Sequence, residues 1–112
     1  MIKLIDGNHQ KKVPHAPTVD LKAGTAVLIG TTVTITSVDI LAAGPAGAVN
    51  WPNGGARYSI PNGAGNAYDA GDDVFVDIAN GEGLPAGGDG KIGTVTHDVA
   101  ATDEIISFIH ER

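Results

Sequence analysis

Residues 26–36 read Ala26-Val27-Leu28-Ile29-Gly30-Thr31-Thr32-Val33-Thr34-Ile35-Thr36. A short apolar run stops at Gly30, and a strict alternation starts at Thr32. In an extended chain side chains alternate between faces, so Val33 and Ile35 share one face and the threonines the other. β-Branched residues suit a pleated surface and lose rotamer freedom in a helix. Gly30-Thr31 is a two-residue connection of the kind that joins antiparallel strands. The stretch predicts a β-hairpin.

The same grammar continues outward. Strands are expected at Val38–Leu41, Gly47–Trp51, Arg57–Ile60, Val74–Ile78, Lys91–Thr96 and Glu104–His110. They are separated by Ala43-Gly44-Pro45, by Pro52-Asn53-Gly54-Gly55, by a loop at 61–72 and by a turn at Asp98–Asp103. Residues 80–90 hold five glycines and a proline in eleven positions, and no regular structure is expected there. In the last strand Ile105, Ser107 and Ile109 lie on one face, and Ile106 and Phe108 on the other. A strand apolar on both sides needs cover on both sides. It is either a central core strand beneath a loop or a strand that meets another subunit.

Composition agrees. Sixteen Gly and six Pro among 112 residues punctuate the chain too often for a helix bundle or a regular βαβ domain. The fold class read from this pattern is all-β: a small compact β-barrel or sandwich of short strands with Gly/Pro-rich turns. With no cysteine, disulfide scaffolds, thiolate zinc sites and cysteine nucleophiles are excluded. Apolar runs fall far short of the roughly 18 residues that mark a membrane-spanning helix, and no secretory leader is expected.

The first twenty residues differ from the rest. Ile2, Leu4 and Ile5 form an apolar patch, and Pro14 and Pro17 forbid helix. Residues 1–20 are expected to be an extended N-terminal arm, and residues 21–112 a single β-domain. The net charge of −6 divides unevenly: residues 1–22 carry Lys3, Lys11, Lys12 and Lys22 against Asp6 and Asp20, and residues 23–112 carry the acidic excess. An acidic body is a poor partner for nucleic acid phosphates.

Reactive constellations are sparse. Asp69, Asp72, Asp73 and Asp77 cluster, but without the spacing of a calcium loop, and they read as turn caps and solvated groups. Gly90-Lys91 fails as a phosphate loop, because Pro85 and Ile92 occupy positions that need Gly and Ser or Thr. His9, His15, His97 and His110 show no ligand spacing and read as solvated or locally hydrogen-bonded. Trp51, the sole tryptophan, is a core plug or an interface anchor. No catalytic residue, metal ligand or cofactor site is expected.

An ordered set of segments carries a resemblance. Residues 23–30 (Ala-Gly-Thr-Ala-Val-Leu-Ile-Gly), Gly47-Ala48-Val49, Tyr58-Ser59-Ile60-Pro61, residues 67–74 (Ala-Tyr-Asp-Ala-Gly-Asp-Asp-Val), Gly93-Thr94-Val95 and the apolar last strand match in order and spacing. Across residues 21–112 the chain resembles the capsid cement, or decoration, proteins of tailed phages. These form a family formerly of unknown function, and some members carry a recombinase label. The resemblance implies a non-enzymatic virion protein, commonly trimeric, on the outer surface of the phage head, clamping the joints between major capsid protein subunits. Its partners would be the major capsid protein and copies of itself, with no nucleic acid and no membrane. On this reading Ile2, Lys3, Leu4, Lys11 and Lys12 of the arm contact the capsid or a neighbour, and Ile106 and Phe108 form the subunit interface. Alternatives are a glycan-binding host-recognition module with Tyr58, Tyr68 and Trp51 lining a groove, a head–tail completion protein, and an enzyme using the Asp69–Asp77 carboxylates.

Overall fold

The structure, a computed structural model, describes residues 1–7, 10–63 and 65–112. It is all-β, with no helix among the described residues. Ten strands follow in chain order: β1 (Lys3–Asp6), β2 (Lys12–His15), β3 (Ala26–Ile29), β4 (Thr32–Thr36), β5 (Gly47–Asn50), β6 (Arg57–Pro61), β7 (Asp73–Asp77), β8 (Glu82–Leu84), β9 (Gly90–Val95) and β10 (Ile105–His110). They form two antiparallel sheets, β1-β6-β10-β9-β7-β8 and β2-β5-β4-β3.

The hairpin read at residues 26–36 is present as β3–β4, with Ile29 opposite Thr32. Gly30 takes φ +62°, as a turn with glycine first requires, and among the described residues none other than glycine has positive φ. The threonine face is not solvated: all five residues of β4 are buried. Burial is tolerable because the hydroxyls find carbonyls. Thr34 Oγ1 donates to Val27 O at 2.8 Å and Thr36 Oγ1 to Lys22 O at 2.8 Å.

The larger sheet curls on itself. Beyond β7, strand β8 returns to the end of β6, where Asn62 and Gly83 form a parallel bridge. Gly63 N–H also donates to Gly83 O at 3.2 Å. Strands β6, β10, β9, β7 and β8 thereby close into a small barrel, with β1 pairing outside on Arg57–Ser59. The Gly-rich stretch expected to be irregular supplies this closing strand. Gly83 fits because it lacks a side chain: a Cβ there would stand 2.8 Å from Ile106 Cδ1 and 3.2 Å from Val74 Cγ2. Val38–Leu41, in contrast, forms no strand, only the Leu21–Ile40 bridge, with Ile40 buried.

The expected arm is not an arm. Residues 1–20 give one strand to each sheet, β1 beside β6 and β2 beside β5. Ile2 is buried in the common core and its N–H donates to Gly24 O at 3.1 Å. Pro14 sits in β2 without disruption because β2 is an edge, where a missing donor leaves no partner unsatisfied.

The core lies inside the barrel and beneath the smaller sheet. Tyr58, Ile60, Val74, Val76, Ile92, Val95, Ile106 and Phe108 meet Ile2, Ala26, Val33 and Ile35 in one cluster. Ile106 and Phe108, expected at a subunit interface, are both 0% exposed in the single chain. The physical reason is that β10 lies centrally between β6 and β9, so its more apolar face covers the chain's own core. The outward face of β10 is the opposite one, with Ile105 52% exposed and Ser107 and Ile109 half-buried.

Candidate assembly surfaces

A directed polar chain ties the N-terminal segment to the body. Lys12 Nζ donates to Asn50 Oδ1 at 2.6 Å, and Asn50 Nδ2 donates to the Tyr58 hydroxyl at 3.0 Å. Tyr58 donates in turn to Gln10 Oε1. Gln10 Nε2 reaches His110 Nδ1 at 2.6 Å and Trp51 O at 3.0 Å. His110 Nε2 lies 2.9 Å from Val33 O, and because a carbonyl only accepts, the proton sits on Nε2 and Nδ1 accepts from Gln10. Every member donates forward, a head-to-tail order in which neighbouring hydrogen bonds polarise one another. Burial pushes the His110 pKa down to about 4, partly offset by its bond to the Val33 carbonyl. Burial likewise raises Tyr58, less strongly because Asn50 donates to its oxygen. Gln10 carried no signal in the sequence; its role depends on residues 41 and 100 positions away.

Around this knot the surface residues divide. Lys3, Lys11 and Lys12 are exposed, and Leu4 is 50% exposed beside Ile5 and Met1. Lys11 is held by its backbone: its N–H donates to Asn53 Oδ1 at 2.9 Å and its carbonyl accepts from Trp51 N–H at 2.7 Å. Of the five contact residues expected in the first segment, four therefore present to solvent and Ile2 does not. Asp6 pairs with Arg57 across β1 and β6, which holds its carboxyl below the usual range through the hydrogen bond from Arg57.

The residues named for other functions are otherwise engaged. Tyr58 and Tyr68 are 3% and 4% exposed, so they do not line a sugar groove with Trp51. Their rings fill the core, and burial drives the Tyr68 hydroxyl up to about 12. Trp51 is half-buried, with the Arg112 guanidinium 5.0 Å above its ring. The aspartates cap turns: Asp72 Oδ2 accepts from Asp69 N–H at 2.9 Å, Asp77 binds Asn80, and Asp73 pairs with Lys91 at 3.1 Å. Gly90 and Lys91 belong to strand β9 rather than to a phosphate loop. His97 is exposed and His15 half-buried. His9 lies outside the described residues.

What the surface offers is contact, from Lys-bearing edges and exposed aliphatics on an interlocked β-body. A family model described as phage cement protein matches residues 5–109. The chain belongs to the phage cement protein family. Membership places it among capsid-associated structural proteins of phage particles. The match includes residues of both β1 and β2, so the family unit takes in the segment read from sequence as an arm. No curated protein and no solved structure matches the chain.

Proposed function

We propose that this protein binds the outer surface of the assembled phage head as a homotrimer and stabilises the major capsid protein lattice without catalysing a reaction. The observation that carries the reading is the cement-family match over residues 5–109. A ligand that binds only the assembled lattice shifts assembly by mass action, and linked contacts let each copy bind modestly. Lys3, Leu4, Lys11 and Lys12, with Ile5, supply the capsid contacts: basic heads for an acidic surface and aliphatics for its apolar ground.

The test is reconstitution on heads lacking the protein. Purified protein should co-sediment with expanded heads at many copies per particle and raise the temperature at which the heads lose their DNA. Binding restricted to a few copies at one vertex would instead indicate head–tail completion. Charge reversal at Lys3 and Lys11 together should weaken attachment at least tenfold while the free protein keeps its melting temperature. Undiminished attachment would remove these residues from the contact surface.

A further inference from the structure

The edge of a sheet is a row of unpaired backbone donors and acceptors, and proteins guard it with charge, proline, bulges or cover. Among the described residues three strand edges remain free, since β8 closes onto β6. Strand β1 carries Lys3, Asp6 and a register shift between Leu4 and Asp6. Strand β2 carries Lys12 and Pro14. Strand β3, Ala26-Val27-Leu28-Ile29, has neither charge, proline nor register shift.

Its hydrogen-bonding direction is fixed by the ladder with β4. Thr36 N–H donates to Thr25 O at 2.9 Å, so the bonded positions alternate through Thr25, Val27 and Ile29. The N–H and C=O of Leu28 therefore point away from β4. Among the described residues no backbone bond outside the strand ladders reaches Leu28, and its residue is 42% exposed. A groove of about 350 Å³ runs beside this edge, between Pro17, Val19 and Leu21 on one side and Ala26 and Leu28 on the other, with Ile78 also lining it. No Asp, Glu, Lys or Arg lines it.

We propose that the β3 edge is the seam on which a second copy of this chain docks, by adding one of its strands to the four-stranded sheet. Charge selects the occupant. Each copy carries −6, so two bodies repel wherever their carboxylates face, whereas residues 23–38 contain no charged side chain. Backbone pairing at Leu28, the exposed outward position of β3, supplies the hydrogen bonds, and the groove takes apolar side chains of the incoming strand. The seam deepens the reading of the protein as a self-assembling cement and rests on it.

The experiment is light scattering on the full chain. The wild type should be an oligomer. Leu28→Pro removes a donor that β4 does not use, and Leu28→Lys places a charge in the groove; both should give monomers with a cooperative melt. A monomeric wild type, or a Leu28→Lys variant of wild-type mass, overturns the seam. Should Leu28→Pro fail to fold, hydrogen exchange on the wild type decides. Among the described residues the Leu28 amide has no partner, so slow exchange in the free oligomer supports the seam and fast exchange overturns it. If the protein is monomeric and that amide slows only on heads, the edge belongs to the capsid protein; the seam fails and the cement reading stands.

Discussion

His110 concentrates the chemistry of this molecule. It is buried, neutral, and uses both ring nitrogens, one toward Val33 O and one toward Gln10. Protonation would set a second N–H against the Gln10 amide donor. With a folded-state pKa of about 4 against an ordinary 6.5, the unfolded chain binds the proton first as pH falls. The stability held by the neutral ring is therefore complete above pH 6.5 and is lost progressively down to about pH 4, a loss of about 3 kcal/mol at 1.36 kcal/mol per pH unit. Urea midpoints at pH 7 and pH 4.5 check this. The wild type should lose much more than His110→Gln over that interval, and equal losses would move the acid sensitivity elsewhere. Phe108 sits two residues away with no exposed surface, and Phe108→Ala should cost about 3–5 kcal/mol through transfer and cavity terms. Its signature is a lowered unfolding midpoint whether the protein is associated or not, because the side chain serves its own core.

At the scale of elements, the first segment matters most. β1 and β2 add a strand to each sheet, Ile2 enters the core, and Gln10 completes the polar chain. Deleting residues 1–20 would strip two ladders and leave Tyr58 and His110 with unsatisfied buried groups. The truncated chain should melt far below the intact one or lose its cooperative transition, as circular dichroism would show; an unchanged melt would return the segment to the status of an appendage. β8 makes the opposite case, a strand built from a poor strand sequence. Gly83→Val would drive a branched side chain onto Ile106 and Val74 and should destabilise by about 1–3 kcal/mol through overpacking at the barrel closure. Gly30→Ala, at a positive φ with open space around it, should cost only about 1 kcal/mol.

The whole molecule is an acidic body 41 Å long by 26 and 22 Å, with four of its five lysines among the first 22 residues. Its two associations should respond oppositely to salt. Copies of one negative chain repel, so self-association should tighten as ionic strength rises and the Debye length falls below about 10 Å. Attachment to heads through Lys3, Lys11 and Lys12 should weaken over the same range. Light scattering and co-sedimentation across a salt series separate the two, and parallel trends would remove the lysines from the capsid contact.

The sequence by itself determined the all-β class, the β3–β4 hairpin, most strand positions and the split of apolar faces along β10, because period-two alternation and glycine turns are local properties. The family resemblance was legible in the same way, as ordered short segments. Tertiary structure alone decided which face of β10 looks inward, that residues 1–20 belong to both sheets, that Gly83 closes a barrel and that Gln10 meets His110. These depend on contacts between residues far apart in the chain. Alternation says that two faces differ, but only the position of a strand within its sheet says which face meets the core.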